Sequence, residues 1–219
     1  MGQQVLKFIH CHSFLELITF CSGLTSWTAG ECLSSWLDSH PDLLRGHSVL
    51  ELGSGSGITG VFVLKRLPDI TSYTFTDCHL KVLDNLRNNV TNNLGDTGMI
   101  VRDDSECLEM RTAGNTEVMV TDLDWVSFSE RPGDSDLKAD IILGADIVFD
   151  PDLIPSLVTT IRILLSRTDQ GLAVIVCCVR NTETFALFEK SLQEQGLEFT
   201  KELLHDSTPP VLLLKIQSR

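Results

Sequence analysis

Between residues 51 and 60 the chain reads Glu-Leu-Gly-Ser-Gly-Ser-Gly-Ile-Thr-Gly, a run able to take a ligand against bare backbone. Glycines placed where a strand turns into a helix let a ligand approach the main chain, and the helix N-terminus adds unpaired N–H groups. Gly55-Ser56-Gly57-Ile58-Thr59-Gly60 satisfies the dinucleotide pattern G-x-G-x-x-G. Asp77 follows at a distance that suits a carboxylate accepting hydrogen bonds from ribose hydroxyls. On glycines alone, a nicotinamide dinucleotide and S-adenosylmethionine fit about equally well.

Three features favour S-adenosylmethionine. Glu51 stands two residues before Gly53, in the acidic-x-G-x-G-x-G form that resembles the first motif of S-adenosylmethionine methyltransferases. A carboxylate there is expected to help hold the cationic methionine amino group, whereas it would repel a pyrophosphate. The chain also has little room for the separate substrate domain that many dehydrogenases carry. Finally, the strand ends further along carry matches of their own.

The elements that must position these residues follow a strand–helix alternation from residue 47, the pattern of a parallel sheet with helices on both faces. Strands are predicted at 48–52, 70–76, 117–121, 139–145 and 172–179, with a closing hairpin of 197–203 and 211–216. Helices are predicted at 57–66, 80–93, 151–166 and from 182 to near 196. The second carries Leu80, Leu83, Leu86 and Val90 at three- and four-residue spacing. The third has Pro151 at its first position. Asn181 or Thr182 caps the fourth. Residues 96–116 are polar and aperiodic apart from 99–101, and are expected to form a surface excursion. The fold class is therefore α/β, a seven-stranded Rossmann-like sheet, mostly parallel, with an antiparallel C-terminal hairpin strand. One domain over 23–219, preceded by an unmatched segment at 1–22, accounts for the length.

Composition narrows the partners. A net charge of −13 argues against duplex nucleic acid, which wants a basic face, and suits a cationic substrate. The hydrophobic share of 42% and charged share of 21% are ordinary globular values. Seven cysteines without a C-x-x-C pair indicate neither a disulfide framework nor a zinc site, so no metal is expected and a reducing, cytoplasmic compartment is. The apolar stretch 5–20 is interrupted by Lys7, His10, His12 and Glu16, so no membrane span is expected.

Leu123-Asp124-Trp125 and Gly144-Ala145-Asp146-Ile147-Val148-Phe149 look like the family 16 lysine methyltransferases, which carry an L-D-W after the third strand and a D-x-x-Y after the fourth. Asp77-Cys78-His79, Leu86-Arg87-Asn88-Asn89-Val90, Val179-Arg180-Asn181-Thr182-Glu183-Thr184 and Gly23-Leu24-Thr25-Ser26-Trp27 resemble the members of that family that act on elongation factor 2. The resemblance implies S-adenosylmethionine as cofactor and a protein substrate, elongation factor 2, as partner. It also implies site roles. Trp27 and Trp125 border the cofactor, with Trp125 beside the adenine. Gly53, Ser54 and Gly55 cradle the methionine portion, Asp77 takes the ribose, and Ala145 offers backbone beside them. Asp146 is the catalytic candidate, binding and aiming the lysine nitrogen. Phe149 stands where the family has tyrosine, which removes a hydroxyl but keeps an aromatic face. A lysine of another protein, or a cofactor-binding module without activity, are the alternative readings.

Overall fold

The computed structural model describes residues 28–67, 69–95, 99–103, 107–112 and 114–219. Helix α1 (Thr28–Ser39) leads into β1 (Ser48–Leu52), α2 (Ile58–Arg66), β2 (Ser72–Asp77) and α3 (Leu80–Leu94). Then come β3 (Met99–Asp103), β4 (Cys107–Arg111), β5 (Glu117–Asp122), α4 (Trp125–Glu130) and β6 (Ile141–Ala145). Helix α5 (Ile154–Leu165), β7 (Leu172–Cys178), α6 (Thr182–Glu194), β8 (Leu197–His205) and β9 (Val211–Ser218) complete the order.

Among the described residues the strands form one sheet in the order β3-β4-β5-β2-β1-β6-β7-β9-β8. Its centre, β5-β2-β1-β6-β7, is parallel throughout. Both edges are antiparallel: β4 runs against β5 and β3 against β4, while β9 runs against β7 and β8 against β9. The order reverses beside β1, and the carboxyl ends of strands at such a switch point form the crevice where open α/β sheets bind ligands.

Side-chain alternation divides the core in two. On one face Val49, Tyr73, Phe75, Leu143, Val174 and Val176 pack under α1, α2 and α3, with Leu33, Leu37, Val63, Leu86 and Val90 from the helices. On the other, Leu50, Leu52, Ile142, Ala173 and Ile175 meet Phe128 of α4, Leu157 and Ile161 of α5 and Phe188 of α6. Full burial of each large apolar side chain contributes about 1.5–3 kcal/mol, which is why this two-sided apolar pattern outweighs local propensity in fixing the sheet.

Several expectations need correction. The 96–116 stretch adds strands β3 and β4 to the sheet rather than forming an excursion, because Cys107, Leu108 and Met110 are buried against β5. Helix α5 starts at Ile154 with Pro155 in its first turn, and Pro151 lies in the turn ahead of it. Leu80 is 75% exposed, since as first residue of α3 it sits at the strand tip instead of over the sheet. Helices α1 and α4 had no predicted counterpart. The N-terminal segment 1–22 and Gly23–Trp27, including the Trp27 position, lie outside the described residues.

Candidate cofactor and substrate site

The loop between β1 and α2 is held open by its glycines. Gly53, Gly55 and Gly57 have φ of 60°, 55° and 80°, the left-handed region that side chains disfavour. A Cβ on Gly53 would lie 2.9 Å from Ile147 Cγ2 and 3.6 Å from the Trp125 ring, so this glycine lets the loop close onto both. A Cβ on Gly55 would meet nothing within 4 Å, which leaves that backbone open to a ligand. Gly60, in the first turn of α2, performs a different task. A Cβ there would lie 2.3 Å from Phe75 and 2.5 Å from Tyr73, so the missing side chain allows α2 to rest on β2.

The loop is tied to β2 from within. Ser54 N–H donates to the Thr76 carbonyl (2.8 Å), and the Thr76 N–H donates to Ser54 Oγ (3.1 Å). The Ser54 hydroxyl and the Thr76 hydroxyl both donate to the Glu51 carbonyl, at 3.2 and 2.7 Å. Ser54 is therefore buried and shapes the cradle from inside.

Glu51 also departs from expectation. Its side chain is only 3% exposed, and Oε2 accepts a hydrogen bond from the Tyr73 hydroxyl at 3.0 Å. Strand alternation puts Glu51 on the same face as Tyr73 and Phe75, beneath the loop and shielded from solvent. Burial pushes its carboxyl up to about 7, and hydrogen bonds from Tyr73, Ser54, Thr59 and the Gly60 backbone oppose only part of that rise.

Asp77 ends β2. One carboxylate oxygen accepts from Gly55 N–H (3.1 Å), and the other from the N–H groups of Cys78 (2.9 Å) and His79 (3.2 Å). The acid thus stands between the glycine loop and the start of α3, with acceptor capacity left for further donors. Asp122 pairs with Asp77 in the β2–β5 register, and Asp124 follows two residues on. Partial burial, then the charges of Asp124 and Asp77, push the Asp122 carboxyl up. Burial and the same three aspartates push up the Cys78 thiol beside them. The strand tips are therefore acidic, and they suit a cationic ligand.

Asp124 caps α4, accepting from Ser127 N–H at 2.7 Å. That cap turns the chain so that Trp125, the next residue, packs half-buried against the core face of Leu50, Leu52 and Phe128 with its ring near Gly53. Ala145 closes β6 and is half-buried. Asp146 follows with φ of 60°, uncommon for a residue with a Cβ, and its N–H donates to the Val176 carbonyl at 2.8 Å. Its carboxylate is paired with Arg180 (Nη2 to Oδ2, 2.7 Å). Phe149 is 61% exposed at the same end of the sheet.

Gly53, Ser54, Gly55, Asp77, Trp125, Ala145 and Asp146 thus all lie at the carboxyl ends of the parallel strands. Sequence reasoning missed the Tyr73 support of Glu51, Ile147 against Gly53, the added acids Asp122 and Asp124, and the Arg180 pairing of Asp146. Arg180 stood inside a recognisable motif, but its partner lies across a strand pair, and only the β6–β7 register brings the two together.

A family model described as lysine methyltransferase matches residues 16–195. The chain is 32% identical to the protein-lysine N-methyltransferase EEF2KMT of Bos taurus, over 90% of this chain and 63% of that protein. It is likewise 32% identical to EEF2KMT of Homo sapiens, over 84% of this chain and 54% of that protein. The chain therefore spans between half and two thirds of the length of these relatives. Among solved structures, Aeropyrum pernix fibrillarin with natively bound S-adenosyl-L-methionine superposes with a TM-score of 0.53, over 87% of this chain and 76% of that one. At 16% identity that likeness is one of fold.

Proposed function

This chain belongs to the lysine methyltransferase family of S-adenosylmethionine-dependent enzymes, and from that premise we propose that it methylates a lysine of a protein, elongation factor 2, in the cytoplasm. The observation that carries this reading is the convergence of an open glycine cradle, a ribose-suited acid and a tryptophan on one strand end, beside Asp146. The residues fit the cofactor. Gly53 and Gly55 present backbone without side chains, Asp77 accepts from the ribose hydroxyls, Trp125 borders the adenine, and Ala145 adds backbone beside the methionine portion. Trp27 completes the set by resemblance. The acidic strand tips suit a ligand that carries a sulfonium and an amino group.

Bound there, S-adenosylmethionine would supply an electrophilic methyl group for the lone pair of a neutral lysine nitrogen, with its sulfur as the leaving group and the surplus proton passing to water. The chain's own residues bring the reactants together, and placement is a large part of the acceleration such sites give. Asp146 binds and aims the lysine nitrogen. Phe149 offers a ring face to the methylated ammonium, a favourable cation–π arrangement. The choice of elongation factor 2 follows the EEF2KMT relatives and the motif likeness.

Purified protein incubated with tritiated S-adenosylmethionine and cell extract tests this. One labelled band running with purified elongation factor 2 is expected, lost in Asp146→Ala while cofactor affinity is kept. A different band redirects the substrate, and no band at all refutes the transfer.

A further inference from the structure

The carboxylate expected to aim the nucleophile is already paired. Asp146 is only 11% exposed on its side chain, and its Oδ2 lies 2.7 Å from Nη2 of Arg180, which stands 47% exposed just past the end of β7. A left-handed backbone at Asp146 and the bond from its N–H to Val176 fix the acid in place from the other side. Asp146 in turn holds the guanidinium firmly charged, chiefly through that hydrogen bond.

This pairing matters for an amine nucleophile. A lone carboxylate stabilises the ammonium form and raises an amine's pKa, which is already about 10.4 for free lysine. Only the neutral amine has a lone pair to attack with. A bare Asp146 would bind the substrate lysine in the unreactive form.

We propose that Arg180 is a positioning residue that neutralises Asp146, so that the acid can direct the lysine nitrogen without holding it protonated. The inference rests on the methyl-transfer reading above. Other charges near the pair do not substitute for Arg180. Cys177 and Cys178 on β7 feel Asp146, while Cys32 on α1 feels Glu31 and acts in turn on Cys178. Burial first of all pushes all three thiols up, which keeps them neutral at working pH. The adjoining segments carry the acids Glu31 on α1, Asp150 and Asp152 ahead of α5, and Glu183 on α6. Among these groups the guanidinium is the one cation.

Single-turnover methyl transfer to purified elongation factor 2, measured from pH 6 to 10, tests the idea with Arg180→Met and Arg180→Lys, alongside calorimetric S-adenosylmethionine affinity. Arg180→Met is expected to keep cofactor affinity within about twofold. Its rate midpoint should move up by about one to two pH units, a roughly 10- to 100-fold loss near neutrality. Arg180→Lys should recover most of the shift. A uniform rate loss with an unmoved midpoint overturns the proposal, because Arg180 would then merely hold Asp146 in shape. Tenfold weaker cofactor binding overturns it too. If the wild type transfers nothing, the function falls and this inference with it; a working wild type with an unmoved variant midpoint sinks the inference alone.

Discussion

Along β1 the side chains alternate between faces, and Glu51 falls with Val49 on the side that meets Tyr73 and Phe75. The acidic position of the loop motif was legible in the sequence, but its direction was not, since the β1–β2 register depends on pairing between residues far apart in the chain. The buried carboxyl has a consequence for stability. In the folded chain it keeps its proton up to about pH 7, against an ordinary value of 4.5. Between those values the folded state binds more protons than the unfolded one, so stability falls as pH rises through the window and the loss is complete above it. The size is on the order of 3 kcal/mol. Glu51→Gln keeps an acceptor for the Tyr73 hydroxyl and removes the charge. Its Tm should exceed the wild type's by several degrees at pH 8 and converge with it near pH 5. Parallel melting curves across that range would mean that Glu51 ionises in the folded protein as it does in the unfolded chain, which would contradict the raised carboxyl.

At the scale of elements, the central strands and the helices between them were readable because both faces of the sheet are covered, leaving near-continuous apolar runs in β6 and β7. Strands β3 and β4 escaped notice for the opposite reason: as the edge strand and its neighbour they carry charged residues such as Arg102 and Glu109 among a few buried ones. The third glycine of the pattern turned out to matter for packing rather than for ligand contact. Gly60→Ala would gain roughly 1 kcal/mol of helix propensity. It would also drive a methyl group into Phe75 and Tyr73, where three atoms lie within 2.6 Å of the Cβ position. Overpacking of that kind costs about 1–3 kcal/mol and occasionally more, and contacts this close put it at the upper end. The variant should melt about 5 °C lower in a thermal scan. A melting point equal to or above the wild type's would show that α2 can lift off β2 without penalty.

For the whole molecule, the Rossmann-like architecture and the family were within reach of the sequence because several short motifs fall at successive strand ends, and the fold gathers them into one crevice. The charge of −13 fits that arrangement, since three aspartates crowd the tips of β2 and β5 and the expected ligands are cationic. Among the described residues no helix is long and apolar enough to cross a membrane. Arg180 and Tyr73 remained hidden at sequence level because each acts through a partner on a neighbouring strand. Everything assigned to the crevice depends on its holding a sulfonium nucleoside. Titration calorimetry of S-adenosylmethionine into wild type and Asp77→Ala measures that directly. The wild type should bind, and loss of the charged acceptor should weaken the affinity by about 10- to 100-fold. Absence of binding by the wild type, or an Asp77→Ala affinity equal to it, would contradict the site described here.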